Sequence, residues 1–331
     1  MSIQPVRWGI LSTAKIAREK LIPALRESAH NEIVAIASRT PESARAAADA
    51  FGIPTAHGSY EALLADPNIE AIYNPLPNHL HVPLTLAAAQ AGKHVLCEKP
   101  FAIHAAELEA LRPYATKVHL REAFMVRHHP QWASVREHVR AGEIGELRSI
   151  QVAFNYFNAD PANIRNAADI GGGAMYDIGC YAITAGRWFF EVDPGRVSAM
   201  IDLDPVFRTD RLTSALLDFG AGRQLSLSVS TQAARYQRVQ LVGTLGRIEI
   251  EVPFNAPEGG QTRYQIQSAG STELRSITVP EANQYALQCD AFARAVRFDT
   301  PSAAALDDSV ITLRAIEAVF ASAKSGRVES L

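Results

Sequence analysis

The stretch Val6-Arg7-Trp8-Gly9-Ile10-Leu11-Ser12-Thr13-Ala14-Lys15-Ile16-Ala17 decides the fold of this chain. Residues 6–11 form a short apolar run of the kind found in buried parallel strands. Small residues follow, and a helical pattern opens at Lys15 and continues to Ile22. A second apolar run, Ile33–Ala37, predicts the next strand. A helix that starts behind a turn of small residues offers unpaired N–H groups and a favourable dipole to a phosphate.

This turn departs from the G-x-G-x-x-G fingerprint of dinucleotide-binding folds. Residues 12–17 carry no glycine at any of its three positions. Serine and alanine still let the backbone approach a phosphate closely, provided that it stays at negative φ. An ordinary βα turn is the alternative interpretation. The residues that we predict to bind the cofactor here are Ser12, Thr13, Ala14, Lys15 and Ile16.

The second strand ends on Ser38-Arg39, at the corner where the adenosine ribose of a bound dinucleotide lies. An acidic residue there would bind a free 2′-hydroxyl, whereas a guanidinium grips a phosphate through paired hydrogen bonds. We therefore predict that Ser38 and Arg39 bind the cofactor and that the cofactor is NADP. The alternative is a solvated strand end, since Thr40 and Pro41 suit the start of a helix.

Length and composition point to an ordinary globular protein of about two domains. The chain has 331 residues, of which 47% are hydrophobic and 20% charged, and its net charge is −3. That charge gives no broad attraction to nucleic acid or anionic lipid. The cysteines are far apart and form no C-x-x-C pair, which argues against structural zinc and disulfides. We expect no nucleic-acid partner, no membrane association, no metal and a cytoplasmic location, since no signal peptide or membrane span stands out.

The pattern of elements changes once along the chain. Alternating strands and helices predict an α/β, Rossmann-type domain with a doubly wound parallel sheet over residues 1–122. Period-two runs such as Leu147–Tyr156 dominate residues 123–331. They predict an α+β substrate domain built on a large, mostly antiparallel open sheet. One uncovered face of that sheet predicts a homodimer or homotetramer. Whether the C-terminal helices pack back on the first domain is left open.

Three residues form the candidate catalytic set. Lys99 follows a buried strand and so stands at the carboxyl end of the sheet, where open α/β sheets bind ligands. A helix that begins near Gly173 would place Asp177 and Tyr181 one turn apart on one face. An ammonium lowers the pKa of a neighbouring phenol by favouring phenolate, and Asp177 would hold the lysine or a substrate hydroxyl. Each of these three residues, taken alone, could instead have a purely structural role. Together, a lysine, an aspartate and a tyrosine suit proton transfer to or from a hydroxyl.

These motifs resemble those of the Gfo/Idh/MocA oxidoreductases over nearly the whole chain. The matching stretches are Glu98-Lys99-Pro100, Pro77-Asn78-x-x-His81 and the glycine-rich helix with Asp177 and Tyr181. Many members carry histidine where this chain has Tyr181. The tyrosine is similar to the branch that contains glucose-fructose oxidoreductase, dimeric dihydrodiol dehydrogenases and NADP-dependent xylose dehydrogenases.

The resemblance implies an NADP-dependent dehydrogenase or reductase that acts on a sugar, a polyol or a related hydroxy or keto compound. Hydride would pass between nicotinamide C4 and a carbon flanked by Lys99 and Tyr181, and Asp177 would bind substrate hydroxyls. The residues implied to line the cofactor are Pro75, Leu76, Pro77, Asn78, His81, Glu98, Lys99 and Arg127. The candidate walls of the substrate pocket are Phe154, Asn155, Tyr156 and Arg165.

Two other functions stay open at this point. A non-catalytic NADP-binding regulator or scaffold would share the fold, because fold alone does not fix function. A redox-assisted glycosidase would use a transient hydride transfer to cleave a glycosidic bond. Metal binding is not expected, because the pairs His79/His81 and His128/His129 have no carboxylate or cysteine cluster to complete a site.

Overall fold

The computed structural model describes residues 4–331. The chain forms two compact units. The first contains the residues up to Met125 together with Asn283–Val310, and the second contains Val126–Ala282 together with Ile311–Leu331.

A parallel sheet forms the centre of the first unit. Its strands are β1 (Val6–Leu11), β2 (Asn31–Ala37), β3 (Thr55–His57), β4 (Ala71–Asn74), β5 (His94–Glu98) and β6 (Leu120–Ala123). They pair in parallel in the order β3-β2-β1-β4-β5-β6. The chain therefore extends the sheet outward on both sides of β1, which makes the carboxyl ends of β1 and β4 the topological switch point.

A mixed sheet forms the centre of the second unit. Its strands are β7 (Leu147–Phe157), β8 (Arg196–Leu203), β9 (Asp210–Asp218), β10 (Gln224–Ser230), β11 (Gln232–Gly243), β12 (Gly246–Ile250), β13 (Thr262–Ser268), β14 (Arg275–Val279) and β15 (Glu329–Ser330). Their order is β14-β13-β12-β11-β7-β10-β9-β8-β15. The β10/β7 pair is parallel and the other pairs are antiparallel. Both predicted sheets, one parallel and one mostly antiparallel, are confirmed.

Helices cover these sheets. The α-helices are α1 (Ile22–Arg26), α2 (Pro41–Phe51), α3 (Tyr60–Leu64), α4 (His81–Gln90), α5 (Pro130–Arg140), α6 (Cys180–Phe190), α7 (Gln284–Phe298) and α8 (Ala304–Ser325). The 3-10 segments are Asn78–Leu80, Ala105–Tyr114, Met125–His128, Ile164–Asn166 and Ala168–Ile170, and π-helical turns span Ala17–Leu21 and Met175–Gly179. No helix formed by residues 4–331 has an apolar stretch long enough for a bilayer crossing.

Aromatic packing fixes α7 against the start of the first sheet. Trp8 of β1 is fully buried, and its ring centroid lies 5.1 Å from that of Phe292. The Trp8 indole N–H donates to Asn31 Oδ1 at 2.9 Å, and the Asn31 amide donates to Asp290 Oδ1 at 2.9 Å. Burying the polar end of the indole is thus compensated by a hydrogen bond. This contact makes residues from the far end of the chain part of the first core.

Candidate active site

The predicted cofactor residues of the first unit follow neighbouring strands. Ser12 comes directly after β1, Ser38 after β2, Pro75 after β4 and Lys99 after β5. Because parallel strands end at the same edge of a sheet, these residues share the edge that contains the switch point. The structure therefore brings together at one edge the residues of this unit that the sequence assigned to a cofactor.

The turn after β1 differs from its prediction in one respect. Ser12 has φ +74°, in the left-handed region, so the condition of a negative φ is not met at this residue. Its hydroxyl accepts a hydrogen bond from the Ala14 N–H at 3.0 Å, which closes a local side-chain turn. That hydrogen bond helps offset the cost of a positive φ in a residue with a Cβ. Serine thus takes the backbone conformation for which a glycine is usual in the fingerprint.

The helix behind this turn begins with a widened turn. The Ile22 N–H reaches the Ala17 carbonyl, five residues back, and Pro23 follows. Proline has no N–H, and its ring would clash with the carbonyl four residues earlier in a regular α-helix. A π-helical turn relieves that conflict. Lys15 is exposed and pairs with Glu19 at 3.8 Å.

The end of β2 fits a cofactor with a phosphate on its adenosine ribose. Ser38 is buried, and its hydroxyl donates to Ser43 Oγ at 3.1 Å. Arg39 is exposed, and among residues 4–331 its guanidinium makes no hydrogen bond or ion pair. Thr40 caps α2 by accepting from the Ser43 N–H, which accounts for this residue without involving Arg39. The guanidinium therefore keeps its donors available for a phosphate.

The loops after β4 and β5 are joined by a buried histidine. His81 is 1% exposed, with Nδ1 2.7 Å from the Pro100 carbonyl and Nε2 2.7 Å from the Leu76 carbonyl. Burial lowers the pKa of His81 to about 4, although the two carbonyls oppose this shift. Both ring nitrogens are thus occupied within the protein. The place of His81 in the lining of the cofactor site stays a prediction.

The Glu98 carboxylate forms hydrogen bonds at the turn that contains Lys99. Glu98 accepts from the Tyr73 hydroxyl at 2.6 Å and from the Lys99 N–H at 3.3 Å. Burial and the neighbouring Glu98 carboxylate raise the pKa of Tyr73 well above its usual range, so this phenol stays a hydrogen-bond donor.

In the second unit, Asp177 is the centre of a polar cluster. Its Oδ2 accepts from the Tyr156 hydroxyl at 2.6 Å, and its Oδ1 lies 2.9 Å from Arg165 Nε. Burial and the Asp177 charge raise the pKa of Tyr156, so that hydroxyl remains protonated. The charge of Asp177 also raises the pKa of Arg165. The cluster combines a carboxylate acceptor with a half-exposed cation, which suits the binding of hydroxyl groups.

Tyr181 lies one helical turn beyond Asp177, in an aromatic environment. It is 5% exposed, and its ring centroid lies 5.9 Å from that of Phe154 and 5.6 Å from that of Phe254. Phe154 and Phe254 stack with centroids 4.6 Å apart. These edge and stacked contacts restrict the Tyr181 ring. Phe254 was not singled out in the sequence analysis, because nothing local to residue 254 signals that it packs against a residue of α6.

The pleat of β7 separates the predicted substrate residues. Phe154 contacts Tyr181 and Tyr156 contacts Asp177, so both side chains lie on the same face of the sheet. Asn155 stands between them and therefore points to the opposite face. The structure therefore does not place the Asn155 side chain beside those of Phe154 and Tyr156, and its role in the substrate pocket stays a prediction.

Asp210, from β9, was also missed by the sequence analysis. It is 2% exposed, and its Oδ2 accepts from the Met175 N–H at 2.7 Å and from the Thr213 hydroxyl at 2.9 Å. This carboxylate caps the helical segment that carries Asp177 and Tyr181. Burial raises the pKa of Asp210 to about 6, although these hydrogen bonds oppose the shift.

The approach of Asp210 explains one glycine of the glycine-rich stretch. Gly173 has φ +112°, and a Cβ built on it would lie 1.9 Å from Asp210 Oδ1. No other residue type fits both the dihedral angle and the space. The glycines therefore allow a buried carboxylate to reach the start of the helix.

Arg127 is the last of the residues that the resemblance implies to line the cofactor. Arg127 lies in the 3-10 segment Met125–His128 and belongs to the second unit, with Asp177 and Tyr181, whereas Lys99 belongs to the first.

Among residues 4–331, no group of His, Cys, Asp or Glu side chains has the arrangement of a metal site. Cys97, Cys180 and Cys289 are buried.

Comparisons with known proteins agree with this architecture. Residues 6–128 match the oxidoreductase family with an NAD-binding Rossmann fold, and residues 132–249 match the GFO/IDH/MocA C-terminal domain. The chain is 46% identical to an uncharacterized oxidoreductase, ORF334, of Rhizobium meliloti, over 98% of this chain and 99% of that protein.

Two further relatives have described activities. A D-xylose 1-dehydrogenase (NADP(+)) of Haloferax volcanii is 39% identical over 98% of this chain and 99% of that protein. A crystal structure of the 3-ketoreductase KijD10 from Actinomadura kijaniata, in complex with NADP and TDP-benzene, superposes with a TM-score of 0.89 at 31% identity and covers 96% of this chain and 98% of that one. The chain therefore belongs to the GFO/IDH/MocA family of oxidoreductases, as its motifs suggested.

Proposed function

We propose that this protein is an NADP-dependent dehydrogenase or reductase that acts on a CH–OH or C=O carbon of a sugar, polyol or related compound. The observation that carries the proposal is the cluster of Asp177, Arg165 and Tyr156, in which Asp177 lies one helical turn before Tyr181. This arrangement is a ready acceptor and donor set for sugar hydroxyls. Family membership and the two relatives of described activity support it.

Each candidate residue has a role in the proposed chemistry. NADP, when bound, accepts or supplies the hydride at its nicotinamide ring. Tyr181 takes the proton from the carbinol oxygen during oxidation and returns one to the carbonyl oxygen during reduction. The Lys99 ammonium stabilises the phenolate form of Tyr181, and Asp177 orients the substrate by accepting from a neighbouring hydroxyl. Each oxidation would thus transfer one hydride to NADP⁺ and release one proton.

The residues that follow β2, Ser38 and Arg39, favour NADP over NAD. Arg39 supplies an exposed guanidinium without an internal partner among residues 4–331, and Ser38 supplies a hydroxyl beside it. No carboxylate stands at Ser38 or Arg39 to bind a free 2′-hydroxyl. A bidentate contact with a 2′-phosphate would satisfy the guanidinium.

The second sheet is proposed to join copies of the chain. On its uncovered face, Met200 of β8 is 79% exposed, and Leu212 and Leu216 of β9 are 42% and 46% exposed. Apolar side chains in this density on one sheet face are typical of a buried interface. A homodimer or homotetramer would cover them, and light scattering would measure the mass. The cytoplasmic location stays a prediction.

A substrate panel tests the proposal. The purified protein is mixed with NADP⁺ and D-xylose, other aldoses, polyols or, with NADPH, dicarbonyl compounds, while NADPH absorbance is followed. We expect absorbance to change stoichiometrically with product for at least one compound. Oxidation should gain with rising pH and reduction with falling pH, because oxidation releases a proton.

The same panel, extended by glycosides, separates the alternatives. NADP⁺ binding with no turnover of any compound would favour the regulator, and glycosidic cleavage without net NADPH would favour the glycosidase. Equal pH profiles in both directions would count against Tyr181 as the proton carrier.

A further inference from the structure

Side chains hold the backbone of the turn that carries Lys99 at three successive residues. The Lys99 N–H donates to Glu98 Oε2 at 3.3 Å, and the Phe101 N–H donates to Glu122 Oε1 at 2.8 Å. Between them, the Pro100 carbonyl lies 2.7 Å from His81 Nδ1. The three side chains come from β5, β6 and the start of α4. A short loop is thus fixed from three elements of the first unit.

Each of these side chains is anchored at a second point. The Tyr73 hydroxyl donates to Glu98 Oε1 at 2.6 Å, and the Ser309 hydroxyl donates to Glu122 Oε2 at 2.7 Å. His81 Nε2 reaches the Leu76 carbonyl at 2.7 Å. Tyr73, Ser309 and His81 are buried. A side chain that one contact already fixes loses little further conformational entropy when it forms a second contact with the turn.

His81 differs from the two carboxylates because it joins two loops. Leu76 follows β4 and Pro100 follows β5, so the ring spans neighbouring strand ends at the edge where the cofactor is proposed to bind. Carbonyl oxygens only accept, so a ring nitrogen holds its carbonyl only when it carries an N–H; the neutral ring has one N–H and donates it to one of the two carbonyls, and only the protonated ring has two.

We propose that His81 is a positioning residue that fixes the Lys99–Phe101 turn, and with it the Lys99 ammonium, by bridging the Leu76 and Pro100 carbonyls. His81 thus acts through Lys99 rather than by contact with the cofactor. This inference rests on the proposed catalytic role of Lys99.

A double-mutant cycle tests the inference. His81→Phe removes both ring nitrogens while filling the space, and Lys99→Ala removes the ammonium. The four proteins (wild type, two single variants and the double variant) are assayed for kcat and KM with NADP⁺ and D-xylose, or with the best compound of the panel. We expect His81→Phe to lower kcat on the order of 10- to 100-fold, since small misplacements of a catalytic group have effects of this size. In the Lys99→Ala background the same change should alter kcat by less than about twofold.

Two variants serve as controls. His79→Phe changes an exposed histidine of the adjoining 3-10 segment and should leave kcat unchanged. His81→Gln restores amide N–H donors and should recover part of the lost kcat. If His81→Phe does not fold, His81→Gln enters the same cycle in its place, with a smaller expected loss of kcat that again disappears in the Lys99→Ala background.

The outcomes distinguish this inference from the proposed function. Equal losses of kcat in both backgrounds would overturn the positioning role while leaving the role of Lys99 intact. Wild-type kcat in Lys99→Ala would instead remove the catalytic role of Lys99, and the inference with it.

Discussion

The buried carboxylate of Asp210 gives a quantitative prediction about stability. Folding raises its pKa from 3.8 to about 6 because the side chain is removed from water. A raised pKa means that the folded protein holds the proton more tightly than the unfolded chain. The stability contributed by this group is therefore present at low pH and is lost as pH rises through about 6. A shift of about two units corresponds to on the order of 3 kcal/mol.

The substitution Asp210→Asn removes this titration while keeping an oxygen that can accept from the Met175 N–H. Buried histidines such as His94 and His129, whose pKa burial lowers to about 4, titrate in both proteins and cancel in the comparison. We expect the free energy of unfolding of Asp210→Asn, relative to wild type, to rise by on the order of 3 kcal/mol between pH about 4 and about 7.

Urea unfolding followed by tryptophan fluorescence across this pH range measures the difference. Asp169→Asn, which changes an exposed aspartate, is the matched control and should track wild type at every pH. A difference between Asp210→Asn and wild type that stays constant from pH about 4 to about 7 would refute the reasoning.

The remaining predictions concern Arg39, Tyr156 and Gly173. Arg39→Asp should weaken NADP⁺ binding about 10- to 100-fold and NAD⁺ binding far less, since charged hydrogen bonds contribute about 1.5–3 kcal/mol; an unchanged preference in fluorescence titrations would contradict the proposed 2′-phosphate contact. Tyr156→Phe removes the 2.6 Å hydrogen bond to Asp177 and should raise the KM for substrate about tenfold without changing the Kd for NADP⁺. Gly173→Ala should destabilise the protein by about 3 kcal/mol or more in thermal unfolding, because the added Cβ meets Asp210; a Tm near that of wild type would show that the carboxylate can move aside.

The parts of the fold that were predictable depend on local patterns. The apolar run Val6–Leu11 and the small residues after it signalled the first strand and turn, and the alternation in Leu147–Tyr156 signalled β7. The candidate residues Lys99, Asp177 and Tyr181 were found because each stands in a motif or at a strand end.

The rest depends on contacts between distant residues. The positive φ of Ser12 accompanies a hydrogen bond from the Ala14 N–H to the Ser12 hydroxyl. The sequence alone does not show which of the small residues in this turn accepts such a bond. Asp210 and Phe254 reach the helix of Tyr181 from strands and loops far along the chain, which no local pattern reveals. Gly173 was the one signal that another group approaches the start of this helix, and it did not identify that group as Asp210.

Hydride transfer assisted by Tyr181 is the central claim, and one comparison tests it most directly. NADPH formation from NADP⁺ and the best substrate of the panel is measured for wild type and Tyr181→Phe, with NADP⁺ binding measured in parallel. The account predicts a fall in turnover on the order of 100-fold or more, since a positioned acid or base contributes about that much, with the Kd for NADP⁺ within about twofold of wild type. Turnover by Tyr181→Phe close to that of wild type would contradict it.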